Sequence, residues 1–164
     1  MTEQMQTARQ LVKALTASNL TLSTAESCTG GLIAKYITDI PGCSSVFFGG
    51  CVTYTNTVKM QLLDVNPQII DTYTEVSEEC AKAMANGVRR RLGTNIGVST
   101  TGYAGPGGGT PKNPVGTVYI AVATPQETVC RRIQASADHS RQQIREYAAL
   151  IALQMVMEYT NGAH

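Results

Sequence analysis

Histidine is nearly missing from this chain: His139 and His164 are the only two. A His-based triad or a histidine-bearing metal centre would rest on His139 alone, which argues against both chemistries. Cysteine pairs are missing as well. Cys28, Cys43, Cys51, Cys80 and Cys130 are odd in number and form no C-x-x-C motif, as expected for free thiols in a reducing compartment rather than a disulfide framework or a zinc site. Nor is there a surplus of either charge, since 13 basic and 12 acidic residues give a formal net charge of +1. A nucleic-acid-binding domain gathers a basic excess on one face. Here the basic clusters are Arg89-Arg90-Arg91, closing a helical pattern where cations are favourable, and Arg131-Arg132. No apolar run approaches the roughly 20 residues of a membrane span, and the amino-terminal Met-Thr-Glu-Gln-Met-Gln has no basic-then-apolar signal. The expectation is a cytoplasmic protein with neither nucleic acid nor membrane as a partner.

What is present suits one globular domain over residues 1–164, with 43% apolar residues available for a core. Helical periodicity over residues 4–18 predicts an amphipathic first helix ending at Ser18-Asn19. Leu20 to Ala25 reads as a strand, Thr29 to Thr38 as a second helix, and Ser45 to Thr53 as a strand whose Gly49-Gly50 pair suits a bulge or a close approach. Helical spacing resumes at Val58 to Leu63 and around Pro67 to Tyr73. A longer helix follows, capped near Ser77 and stopped at Gly93. Asn95 to Thr101 is a third strand. Val115 to Thr124 and Glu127 to Ala135 form a hairpin about Pro125-Gln126, and Asp138 is the expected N-cap of a last helix, Ser140 to Tyr159. The order α-β-α-β-α-α-β-β-β-α, parallel at first and closed by an antiparallel pair, predicts an α/β fold with a five-stranded mixed sheet between helices.

The stretch Thr24 to Gly31 (Thr-Ala-Glu-Ser-Cys-Thr-Gly-Gly) reads as a strand, a tight turn and a helix start. Small hydroxyl and thiol side chains there would stand beside unpaired helix N–H groups, where developing negative charge is stabilised. Ser27 or Cys28 could serve as a nucleophile, whereas Ser and Thr at such a spot also serve simply as caps. Two more loops leave the same sheet edge if the strands are parallel. One carries Tyr54, Asn56 and Lys59. The other follows Thr101 and is glycine-rich, Gly102-Tyr103-Ala104-Gly105-Pro106-Gly107-Gly108-Gly109, suited to bringing backbone N–H groups near an anion but matching no nucleotide-binding fingerprint. With histidine scarce, a serine nucleophile needs another base, and a buried lysine of lowered pKa answers; Lys59 is the candidate, with Tyr54 to relay a proton or orient the pair. Arg141 and Arg145, one turn apart, could grip a phosphate, and Glu26 could pair with Lys59 or Arg141 or satisfy loop backbone.

Four segments then carry a family resemblance: Ala25-Glu26-Ser27-Cys28-Thr29-Gly30-Gly31; Gly50 to Lys59 (Gly-Cys-Val-Thr-Tyr-Thr-Asn-Thr-Val-Lys); Thr101 to Gly108; and Pro114-Val115-Gly116-Thr117-Val118. In this order, over nearly the whole length, the chain resembles the carboxy-terminal domain of CinA proteins and its stand-alone relatives, the nicotinamide mononucleotide deamidases. The resemblance implies a three-layer α/β/α sandwich and hydrolysis of nicotinamide mononucleotide to nicotinate mononucleotide and ammonia in pyridine nucleotide recycling. It further implies Ser27 as nucleophile, Lys59 as base and Tyr54 as assistant, with Thr101 near the reacting amide and Arg141 toward the substrate. Cys28, Thr29, Gly30, Gly31, Asn56, Gly102 and Gly105 join them as expected substrate contacts. Neither metal nor cofactor is expected, the partner is the small-molecule substrate, and a symmetric homo-oligomer is the default assembly. The chain departs from the family pattern at His139-Ser140, at Thr74-Glu75 and at Asn113. A catalytically silent paralogue that binds a nucleotide or a protein partner therefore stays open beside the amidohydrolase.

Overall fold

Strands covered on both faces are built mainly from apolar or small residues, and two segments fit, apart from the last residue of the first: Leu22–Glu26 (β1) and Thr117–Ala123 (β4) are buried throughout. They belong to a five-stranded sheet in the order β2-β1-β3-β4-β5, completed by Phe47–Val52 (β2), Ile96–Gly102 (β3) and Thr128–Gln134 (β5). The computed structural model describes residues 1–162; His164 lies outside them. β1 pairs in parallel with β2 and β3, while β3–β4 and β4–β5 are antiparallel, the mixed sheet expected from the sequence.

Alternation along β4 separates the two faces. Val118, Ile120 and Val122 pack into one cluster with Leu11 and Leu15 of α1 (Glu3–Ser18), Ile33 and Ile37 of α2 (Leu32–Thr38), and Ala148, Ala152 and Leu153 of α6 (Arg141–Gly162). Tyr119, Ala121 and Ala123 point the other way, toward Ala81 and Ala85 of α5 (Glu78–Leu92). α5 lies close because both surfaces are small there: a Cβ on Gly97 of β3 would overlap the Ala85 carbonyl. Beside α5 sit α3 (Asn56–Leu63) and α4 (Pro67–Tyr73), so helices cover both faces in three layers.

Three differences from the sequence reading have local causes. Three helices separate β2 from β3, matching the three helical segments read there and one more than the order α-β-α-β-α-α-β-β-β-α contains; Asp64 and Thr74 at positive φ divide them. The second helix starts at Leu32, not Thr29, since Gly30 and Gly31 take left-handed φ values of 61° and 102°. Ser140, not Asp138, caps α6: its Oγ accepts from Gln143 N (3.2 Å) and its own N donates to Gln143 Oε1 (2.8 Å), a reciprocal capping box with glutamine in the acidic place. At Ser77 the cap is as expected, Oγ accepting from Cys80 N at 3.1 Å. The glycine pair in β2 does sit at an irregularity, the register with β1 stepping from Leu22↔Phe47 to Ser23↔Gly49.

Candidate active site

Because β2, β1 and β3 run in parallel, their carboxyl ends share one edge. From β1 the chain moves through α2 to one neighbour, then through α3 to α5 back past β1 to the other, so the strand order reverses at β1. Open α/β sheets bind ligands at such a switch point. Ser27 is the residue that follows β1 there.

A pocket of about 240 Å³ opens at this edge, with Ser27, Cys28, Tyr54, Lys59, Thr101 and Arg141 among its walls. Lys59 Nζ donates to Ser27 Oγ at 2.9 Å, to the Thr53 carbonyl at 2.8 Å and to the Tyr54 carbonyl at 3.3 Å. α3 positions it. Thr55 caps that helix, and Lys59 falls one turn before Leu63 on the inward face, leaving the lysine 1% exposed. Burial pushes its pKa below the ordinary lysine value of 10.5, against the upward pull of Cys80 and Glu75.

Negative charge on Glu26, beside the serine, has another employment. Its carboxylate is 1% exposed and accepts from Ile33 N (2.9 Å) and Ala34 N (3.1 Å) of α2 and from Thr29 Oγ1 (2.7 Å). Of the alternatives open to Glu26, it satisfies backbone rather than pairing with Lys59 or Arg141, and these helix N–H groups are already satisfied, not open toward Ser27. N–H groups of the turn itself remain: among the described residues, those of Cys28 and Thr29 donate to no backbone carbonyl. Of the two, Cys28 lines the pocket and follows Ser27 directly, where an oxyanion forming on a group bound to Ser27 would find a donor.

Arg141 bridges two loops over the pocket, Nη1 donating to Gly105 O (2.7 Å) and Nη2 to Tyr54 Oη (2.8 Å). The Tyr54 hydroxyl is thereby turned to Arg141, and it is the Tyr54 carbonyl that helps orient Lys59. Thr101 donates its hydroxyl to the Glu75 carbonyl (2.6 Å), keeping its lone pairs for the pocket. Arg145 holds the Ser27 turn from outside, Nε donating to Cys28 O and Nη2 to Thr29 O, each at 3.0 Å. Gly30 makes that possible, since a Cβ there would come within 2.9 Å of Arg145 Nη2. Cys28 shares the pocket, but burial pushes its thiol up to about 12, which keeps it protonated near neutrality and makes it a poor rival to Ser27.

Of the residues singled out by sequence, Cys28, Thr101, Gly102, Gly105 and Arg141 line the pocket together with Ser27, Tyr54 and Lys59. Thr29, Gly30, Gly31 and Asn56 do not: Thr29 is fully buried beneath Glu26 and Thr100, Gly31 precedes α2, and Asn56 begins α3. Tyr103, Ala104 and Gly107 belong to the glycine-rich loop read as reaching this edge, though not named singly as contacts; sequence reasoning missed Val76 and met Glu75 only as a departure from the family pattern. No local signal marks Glu75 and Val76, because the α4–α5 connection reaches the site only through packing. A larger groove of about 730 Å³, bordered by Leu20, Pro125, Arg131 and Tyr159, lies at the opposite sheet edge and holds no buried nucleophile–base pair.

Residues 4–160 match the family described as CinA C-terminal domain. A CinA-like protein of Myxococcus xanthus is 47% identical over 154 residues, covering 93% of this chain and 36% of that protein. A putative competence-damage inducible protein of Caldanaerobacter subterraneus subsp. tengcongensis is 47% identical over 152 residues, with the same shares. The chain thus spans about a third of the length of these curated relatives. Among solved structures, the competence/damage inducible protein CihA of Agrobacterium tumefaciens superposes with a TM-score of 0.93 at 37% identity, over 98% of this chain and 97% of that one. A CinA superfamily protein of Klebsiella pneumoniae gives 0.92 at 27% identity, over 97% and 98%.

Proposed function

Since the chain belongs to the CinA C-terminal domain family, we propose that it is a nicotinamide-nucleotide amidohydrolase, converting nicotinamide mononucleotide and water to nicotinate mononucleotide and ammonia. The observation that carries this reading is the contact of a fully buried lysine with Ser27 Oγ at a sheet switch point. The four motif segments, and the absence of any other nucleophile–base pair in the pocket among the described residues, support it.

Lysine works as a base only when neutral. The Thr53 and Tyr54 carbonyls can only accept hydrogen bonds, so a neutral Lys59 turns its two N–H bonds to them and its lone pair to Ser27. The Ser27 hydroxyl then donates to Nζ. As Oγ bonds to the carboxamide carbon, its proton passes to Lys59, and negative charge collects on the amide oxygen against the Cys28 N–H group. Lys59 returns the proton to the departing nitrogen, which leaves as ammonia. Water, giving a proton to the same lysine, cleaves the acyl-serine and restores Ser27. Thr101 Oγ1, its own proton committed to Glu75 O, accepts from the substrate amide. Unused donors of Arg141 face the nucleotide phosphate.

Incubating the purified protein with nicotinamide mononucleotide and measuring ammonia tests the reading. Release that disappears in Ser27→Ala is expected. No release above that variant, with the nucleotide still bound, would instead identify a catalytically silent binder.

A further inference from the structure

Glu75 stands on the pocket wall with nothing to neutralise it. It belongs to the short α4–α5 connection, which is fixed from both sides. Thr74 turns the chain at φ 70°, and its Oγ1 donates to Val76 O at 3.3 Å. Thr101 Oγ1 donates to Glu75 O, Asn113 Nδ2 donates to Val76 O (3.2 Å), and Ser77 Oγ donates to Thr74 O (2.8 Å). The backbone is thus held over the end of β3, and the Glu75 side chain lines the same pocket as Ser27 and Lys59. Its negative charge reaches Lys59 and Tyr103, which line the cavity, and the buried Cys80. Among the described residues the carboxylate forms no ion pair; the four salt bridges lie elsewhere on the surface.

With Lys59 neutral for catalysis, the charged side chains lining the pocket are Glu75 and Arg141. Such a site is dipolar and prefers a ligand of matching polarity, with a cation near Glu75 and an anion near Arg141. We infer that Glu75 is a specificity-determining residue: it selects a carboxamide borne on a positively charged ring, an N-alkylated pyridinium, over the same carboxamide on a neutral ring. The inference rests on the amidohydrolase reading and adds the charge state of the ring. It also gives a direction to turnover. Hydrolysis converts the neutral carboxamide to a carboxylate, which Glu75 repels, so substrate is held more tightly than product.

Calorimetry on protein carrying Ser27→Ala, which removes turnover, separates the possibilities. The probes are nicotinamide mononucleotide, with its cationic ring, and reduced nicotinamide mononucleotide, whose dihydropyridine ring is neutral while ribose and phosphate are unchanged. A preference for the cationic ring on the order of tenfold is expected. Adding Glu75→Gln should abolish it, and Glu75→Lys should reverse it. Both changes leave the backbone carbonyl that Thr101 engages, and circular dichroism verifies folding. A preference that persists in both variants, or equal binding of the two nucleotides by Ser27→Ala alone, overturns the role of Glu75 and leaves the amidohydrolase reading standing. Binding of neither nucleotide overturns both.

Discussion

Lys59 Nζ and Ser27 Oγ, 32 residues apart in sequence, meet at 2.9 Å beneath the surface. Replacing Lys59 with methionine keeps most of the buried volume and removes the proposed base. Amide hydrolysis should fall by about 10³-fold, within the range that positioned proton transfer contributes, while affinity for the nucleotide changes little. Ammonia release at saturating substrate, alongside binding by calorimetry, reads both. Retained turnover in Lys59→Met would show that another group takes the Ser27 proton.

Burial holds the Lys59 pKa below 10.5, so the neutral fraction grows as pH rises through that lowered value. A plot of kcat/KM against pH should climb and reach a plateau below the ordinary lysine titration. Glu75 pulls the value up, hence Glu75→Gln should shift the rise to lower pH. Linkage gives stability the same sign. Below the folded-state pKa both states are protonated and the folded protein bears the full cost of a buried ammonium; between that value and 10.5 the unfolded chain binds more protons, so stability increases with pH. Urea unfolding of the native protein minus that of Lys59→Met should show this positive slope, and a flat difference would contradict it.

Glu26 joins β1 to α2 through three hydrogen bonds accepted by one buried carboxylate. Glu26→Gln retains the shape but loses an acceptor oxygen and the charge that favours a helix start, so a loss of about 1–3 kcal/mol is expected. The urea midpoint should fall with an unchanged m-value. Stability equal to the native protein would mean that the α2 start is satisfied without it.

Arg145 hydrogen-bonds to the Ser27 turn through the Cys28 and Thr29 carbonyls. As a positioning residue it should affect the chemical step more than binding. Arg145→Met is expected to lower kcat by roughly tenfold to a hundredfold, the scale at which misplaced groups slow a reaction, with KM within about twofold. Arg145→Lys should restore part of the loss. Equal changes in kcat and KM would point to a general loosening of the fold instead.

Periodicity and turn residues make the elements legible in the sequence, down to the hairpin at Pro125-Gln126 and the helix that carries Lys59. Motif order pointed to the family, and scarcity of histidine turned attention to lysine as a base. These are local or compositional properties, which a sequence states directly. Three-dimensional packing decided the remainder. Glu26 could have served several partners, and only the placement of α2 above β1 assigns it to the Ile33 and Ala34 N–H groups. Arg145 could have faced solvent or phosphate, and only the crossing of α6 over the turn commits it to Cys28 and Thr29. Glu75 enters the pocket because the α4–α5 connection is pinned by Thr101 and Asn113, residues 26 and 37 positions from their acceptors. A polar side chain has many partners of suitable chemistry within a chain, and which one it meets depends on distances that appear only once distant segments pack together.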